Sequence, residues 1–279
     1  MKAIILALIC FAYSLHALGQ KTPPEIAAEG KLLYRSEAAS WHGTDIFLAK
    51  LKSKRQYSGG YLSYPTATGG RCIFFSRGDE PETLAVITFD STFSTQAAQI
   101  DSVPRPLDAH EKDLFAIRRK ALDVVSKDTL FRHFKNTNLN LIPLITKDGR
   151  KVYALTGPQV SGVVVFGNDY RIDFDKNNNI AGMTRLHQNI IPINYGKSET
   201  QTSAMHSHLP STGDYITATD ICTLMLYEKF PGWNQYYVIS KDYISIWDCT
   251  KDELVVITKK AWERISKDQK KRHPQLFKE

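Results

Sequence analysis

Short β-favouring runs separated by glycine- and proline-containing turns are the feature that most constrains the fold of this chain. Residues 72–75 and 84–89 are two such runs, and the turn between them contains Gly78 and Pro81. Residues 31–35 and 45–49 have the same β-favouring character, so we predict strands there as well. The pattern predicts an α+β protein with a strand-rich N-terminal region over residues 20–137.

A helix is expected at the end of that region. Asp108 and Glu111 have the spacing of a capping box, and Leu114, Ile117 and Ala121 follow on one helical face. After it we predict strands over 139–145 and 152–155, and a hairpin of 163–166 with 170–174 through Gly167-Asn168-Asp169. Residues 173–179 begin like a calcium loop but lack its glycine, which favours a polar turn. Three antiparallel strands over 236–240, 243–247 and 253–257 and a basic helix over 261–271 complete the prediction.

The first 19 residues have the pattern of a secretory signal peptide. Lys2 precedes a short apolar run, and Ala17 and Gly19 stand where small residues precede a cleavage site. We predict cleavage after Gly19, which leaves 260 of the 279 residues and lowers the formal charge from +7 to +6, because Lys2 is the only charged residue removed. The protein is therefore expected to be periplasmic or secreted, with no integral membrane segment after cleavage and no nucleic-acid partner.

The residues with the clearest chemical potential lie between 204 and 220. On a strand, His206 and His208 point to the same side because side chains alternate. The polar loop 209–216 can fold back so that Asp220, in the first turn of the next helix, faces them. Two imidazoles and a carboxylate are a suitable three-ligand set for Zn²⁺, with the fourth position left to water. The alternative is that Thr217 and Asp220 only cap a helix, and that no metal binds.

This pattern resembles the JAMM/MPN+ (JAB-like) family of zinc metallopeptidases. The sequence His206-x-His208-Leu209, seven further residues and Thr217-x-x-Asp220 matches the family's spacing, with Leu209 in place of the usual proline and Thr217 in place of serine. The resemblance implies a domain over 138–279 with a mixed sheet flanked by helices. It also implies zinc on His206, His208 and Asp220, and a Thr217 hydroxyl that supports the tetrahedral intermediate.

The family's catalytic glutamate is replaced here. Gln159 stands at the corresponding position, before the apolar run 163–166. An amide cannot accept a proton from metal-bound water, and such a base typically contributes about 10²- to 10⁴-fold. Either another carboxylate, such as Glu199, takes that role, or the alignment of Gln159 is incorrect, or the domain binds without hydrolysis. His187 is interpreted as a structural histidine.

Two functions remain open at this point. The first is an exported zinc-dependent peptidase or isopeptidase-like hydrolase that acts on an amide bond of an envelope peptide. The second is a catalytically inactive JAMM-like module that binds a peptide or protein partner in the cell envelope. Cys72, Cys222 and Cys249 permit one disulfide, with Cys222 and Cys249 as the pair to test, or free buried thiols.

Overall fold

The structure, a computed structural model, describes residues 21–196 and 202–273. The predicted signal peptide, residues 1–19, lies outside the described residues. The fold class is α+β, as predicted. The helices are α1 (Pro23–Lys50), a 3₁₀ helix (Lys52–Tyr57), α2 (Ala109–Lys127), α3 (Ala218–Tyr227) and α4 (Lys259–Arg272). No helix in the described part of the chain is both long and apolar enough to cross a bilayer.

Fourteen strands in the described ranges form three four-stranded sheets and one two-stranded ribbon. The strands are β1 (Ser58–Pro65), β2 (Gly70–Ser76), β3 (Thr83–Phe89), β4 (Gln99–Asp101), β5 (Thr137–Thr146), β6 (Gly149–Pro158), β7 (Val163–Gly167), β8 (Tyr170–Phe174), β9 (Ile180–Arg185), β10 (Ile190–Asn194), β11 (Ser203–Ser207), β12 (Gln235–Ile239), β13 (Tyr243–Asp248) and β14 (Glu253–Thr258).

The first two sheets are antiparallel, with strand orders β1-β2-β3-β4 and β5-β6-β8-β9. The ribbon pairs β7 with β10. The third sheet, β11-β12-β13-β14, is mixed, because β11 runs parallel to β12 while the remaining pairs are antiparallel. Helix α3 lies in the connection between β11 and β12, since a parallel neighbour needs a crossover. This arrangement places the end of β11 near the start of α3.

The predicted strands at 31–35 and 45–49 are wrong, because both segments lie within helix α1. The helix begins after Thr22, whose backbone N–H donates to the Glu25 carboxylate, and Pro23 occupies the first turn, where its missing N–H costs nothing. Leu33, Ser40 and Phe47 are buried along one face at helical spacing. Small residues at many of the buried positions conceal this periodicity from a search for apolar residues.

The predicted hairpin of 163–166 with 170–174 is also wrong, although both segments are strands. Strand β7 pairs with β10, whereas β8 pairs with β6 and β9. Asn168 adopts a positive φ of 57° and donates its side-chain amide to the Arg132 carbonyl, while Asp169 accepts from the Thr156 backbone N–H. These contacts lie where the chain passes from the ribbon to the second sheet, and they fix the position of Asp169.

The other predicted elements are present. Asp108 caps α2 by accepting from the Glu111 N–H, and the predicted polar turn lies between β8 and β9. The core around α2 combines Leu62 and Ile73 from the first sheet with Val152 and Ile172 from the second. This core therefore contains residues from both sides of the predicted domain boundary between residues 137 and 138. The division into two domains at that point stays a prediction. Of the two alternatives for the cysteines, the structure shows free thiols: Cys222 and Cys249 are not paired, and Cys72, Cys222 and Cys249 are free, the first two buried.

Candidate metal centre

Strand β11 presents His206 and His208 to the protein interior. Met205 is 61% exposed whereas both histidines are buried, which is the alternation expected of a strand with one covered face. The backbone N–H of His208 donates to the Ile239 carbonyl of β12 and extends the pairing beyond His206. The two imidazole Nε2 atoms are 3.0 Å apart. The prediction that these two side chains point to the same side is confirmed.

The beginning of α3 positions Asp220 against these imidazoles. Thr217 is the N-cap residue: its Oγ1 accepts from the Asp220 N–H, and the Asp220 Oδ2 accepts from both the N–H and the hydroxyl of Thr217. This capping box fixes the carboxylate in one orientation. Asp220 Oδ2 is then 3.2 Å from His208 Nε2, and Oδ1 is 3.7 Å from His206 Nε2. The capping and the approach to the histidines therefore occur together.

His187 is a third histidine at this point, and the interpretation of it as only structural needs correction. It lies in the connection between β9 and β10, with Nε2 3.4 Å from Asp220 Oδ1 and Nδ1 3.3 Å from Asp169 Oδ2. His187, His208 and Asp220 have ligand atoms that all lie within 4.8 Å of one another, so they form a group that could hold a metal ion. No motif marks His187, since loops distant in sequence bring it here.

The contacts of the Nδ1 atoms favour a cation at the centre. His208 Nδ1 is 3.0 Å from the Tyr215 carbonyl, which can only accept, so Nδ1 carries the proton. In a neutral His208, the Nε2 lone pair then faces the Asp220 carboxylate, an unfavourable arrangement without a proton or metal between them. His206 Nδ1 contacts the Tyr236 hydroxyl at 2.9 Å. Such outer contacts orient the ring of a metal-binding histidine.

Several polar atoms of this centre have no hydrogen-bond partner among the described residues. They are both ring nitrogens of His187 and Oδ1 of Asp220, all buried. Asp169 and Asp220 approach His187 within ion-pair distance, but without the geometry of a hydrogen bond. An unsatisfied buried polar group costs about 1–3 kcal/mol. His187 Nε2 and Asp220 Oδ1 face each other at 3.4 Å, and this pair of unpartnered atoms fits a bound metal ion.

Burial and charge set the pKa values of the side chains at this centre. Burial alone would raise the pKa of Asp220, but His187 and His206 hold it well below 3.8. Burial disfavours a charged His187, yet Asp220 and Asp169 outweigh this and raise its pKa to about 10. Burial lowers the pKa of His206 to about 4 and raises that of Asp169. One imidazolium therefore neutralises part of the acidic charge when no metal is present.

The structure brings together four of the five predicted site residues. His206, His208, Asp220 and Thr217 meet, whereas Gln159 is exposed in the turn after β6 and donates its backbone N–H to the Asn136 carbonyl. Within the described ranges, Gln159 makes none of the contacts given above for the buried centre. The Thr217 hydroxyl already donates to Asp220. Glu199, the alternative base, lies outside the described residues.

No known family model, curated protein or solved structure matches this chain.

Proposed function

We propose that this chain is an exported zinc-binding module whose buried centre fastens three parts of the fold together and does not hydrolyse a substrate. The observation that carries the proposal is the convergence of His187, His206 and His208 on the Asp220 carboxylate. Imidazole and carboxylate ligands suit zinc, and four protein ligands make a closed structural site. The module presents its outer surface to a peptide or protein partner in the cell envelope.

The donor separations support zinc. Ligand bonds of 2.0–2.1 Å at a tetrahedral centre place two donor atoms about 3.3 Å apart. The separations are 3.4 Å from His187 Nε2 to Asp220 Oδ1, 3.0 Å from His206 Nε2 to His208 Nε2 and 3.7 Å from His206 Nε2 to Asp220 Oδ1. The movements needed are small for His187, His208 and Asp220, whose ligand atoms all lie within 4.8 Å of one another, whereas His206 would also have to approach His187.

The position of the centre explains what the metal would do for the fold. His187 follows the second sheet, His206 and His208 belong to the third, and Asp220 opens α3. One ion on these residues would cross-link segments that are otherwise joined by loops. Such a metal contributes its binding free energy to folding, because the assembled site is absent from the unfolded chain. Removal of the metal should loosen the third sheet and α3 first.

The zinc-dependent amide hydrolase that the motif predicts is the second candidate. It is favoured by the three-residue group His187, His208 and Asp220, because three protein ligands leave one tetrahedral position for water. Bound zinc would then supply a hydroxide nucleophile at neutral pH. The exposed position of Gln159 and the engaged Thr217 hydroxyl give this candidate less support than the closed site.

Cobalt substitution distinguishes the two candidates. Co²⁺ replaces zinc, and its visible absorption reports the coordination. For a closed four-ligand site we expect a tetrahedral spectrum that azide does not change and that His206→Ala alters. A spectrum that azide shifts in the unmodified protein would instead establish an open position and favour the hydrolase.

Amide hydrolysis is measured on the same zinc-loaded protein with a library of short peptides. We expect no turnover in the unmodified protein or in Gln159→Glu, because residue 159 is exposed whereas the donor atoms are buried. Turnover that requires zinc and is lost in Asp220→Ala would overturn the structural role.

A further inference from the structure

A small pocket lies beyond the C-terminal end of α3, two helical turns from the metal centre. Its volume is about 200 Å³, and α1, β1, β5 and α3 contribute to its walls. Helix α3 begins at the N-cap beside Asp220 and ends at Tyr227, which lines this pocket. Among the described residues, none that lines the pocket belongs to the metal centre, so the two are separate sites.

Two carboxylates give the pocket its acidic character. Glu37, on the buried face of α1, is 8% exposed, and Asp45 is at the exposed end of the pocket on the same helix. Asn140 of β5 lines the same pocket and acts to lower the pKa of the Glu37 carboxyl, against the effect of burial. Because an ionised carboxylate can accept about four hydrogen bonds, Glu37 retains acceptor capacity at the pocket.

Aromatic rings form the other walls. Trp41 is 37% exposed, and its ring centroid is 5.7 Å from that of Tyr227. Tyr61 of β1 lines the same pocket. Phe230, itself exposed, stacks on Trp41 at 6.3 Å and extends the aromatic surface beyond the pocket. An aromatic ring attracts a cation placed over its face.

The charge balance of the lining selects the sign of the ligand. Within the described part of the chain, the residues that line the pocket include Glu37 and Asp45 but no lysine, arginine or histidine. Arg118 of α2 acts on the Glu37 carboxylate and lies 4.8 Å from the centroid of the Tyr61 ring, but it is not part of the lining. A ligand that enters the pocket therefore meets carboxylates and aromatic rings.

We propose that this pocket binds a small organic ammonium group, with Glu37 and Asp45 balancing its charge and with Trp41 and Tyr227 contacting its carbon substituents. Carboxylates and aromatic rings are the groups that recognise alkylammonium ions, through charge and through cation–π attraction. The volume suits an ammonium head group with a short chain. A neutral sugar also stacks on aromatic rings and is the competing ligand class. Comparison of choline with glucose distinguishes the two.

The test uses choline and its neutral isostere 3,3-dimethyl-1-butanol on the full chain. Calorimetry at pH 8 measures the affinity of each, and tryptophan fluorescence reports contact with Trp41. We expect saturable binding of choline and at least tenfold weaker binding of the isostere, because the charge supplies the attraction. Equal affinity for the two compounds, saturable binding of glucose but not choline, or no binding of choline would overturn the proposal.

Variants locate the site. Trp41→Leu and Asp45→Asn should each weaken choline binding about tenfold, whereas Tyr57→Leu, an exposed aromatic outside the pocket lining, should not change it. Glu37→Gln should weaken choline binding in the same way, but Glu37 is buried and this variant can fail to fold. Asp45 is exposed, so Asp45→Asn tests the role of a carboxylate without that risk. Unchanged affinity in both pocket variants, with melting temperatures that show intact folding, would place the binding elsewhere and refute the inference.

Discussion

Protonation of Glu37 should contribute stability to the folded protein in mild acid that is lost as the pH rises through neutrality. Burial, partly offset by Arg118 and Asn140, raises the pKa of Glu37 from 4.5 to about 7. The folded state then binds more protons than the unfolded state between these values, so the free energy of unfolding falls as pH rises through that window. A pKa difference of one corresponds to about 1.4 kcal/mol, which gives a loss of about 3 kcal/mol.

The assay is urea unfolding from pH 5 to pH 8 in the presence of a chelator, so that metal binding does not contribute. Relative to Glu37→Gln, whose amide does not titrate, the unmodified protein should lose about 2–3 kcal/mol across this range. Glu80→Gln, at an exposed turn position, is the control and should follow the unmodified protein. Parallel pH profiles for the unmodified protein and Glu37→Gln would refute the argument that Glu37 is desolvated.

Two further predictions test the packing and capping of the helices. Gly30→Ala should lower the free energy of unfolding by about 2 kcal/mol, because the new Cβ would lie 2.7 Å from the Ile221 side chain and overpacking outweighs the gain in helix propensity; Gly182→Ala, with open space around it, is the control, and an equal effect would contradict the close approach of α1 and α3. Asp108→Ala should cost about 1 kcal/mol in chemical unfolding through loss of the α2 cap. Asp123→Ala, an exposed pair with Lys127 on the same helix, should cost less than about 0.5 kcal/mol, and a larger loss there would reverse the expected ranking.

Features that depend on a short stretch of sequence could be predicted, and features that depend on distant contacts could not. The capping signals at Asp108 and Thr217 identified two helices, and strand alternation placed His206 and His208 on one side of β11. Helix α1 was missed because small residues such as Ser40 occupy part of its buried face. The β propensity of the short runs 31–35 and 45–49 therefore led to a prediction of strands within this helix.

The candidate site shows the same division. The spacing of His208 and Asp220 is local, since one loop connects a strand to the helix beside it. His187 and Asp169 reach the centre only because β7 pairs with β10 while β8 joins another sheet. Both depend on contacts between segments distant in sequence, which a local pattern does not show.

The zinc content per chain of the purified protein tests the central claim most directly. It is measured after exchange into zinc and removal of the excess, for the unmodified protein and for His187→Ala, His208→Ala and Asp220→Ala, with exposed His133→Ala as the matched control. We predict about one zinc per chain in the unmodified protein and the control. In the three variants the zinc affinity should fall at least tenfold, so that bound zinc is lost when the excess is removed. No zinc uptake near neutral pH, or uptake that His187→Ala and Asp220→Ala leave unchanged, would contradict the assignment of these residues to a metal centre.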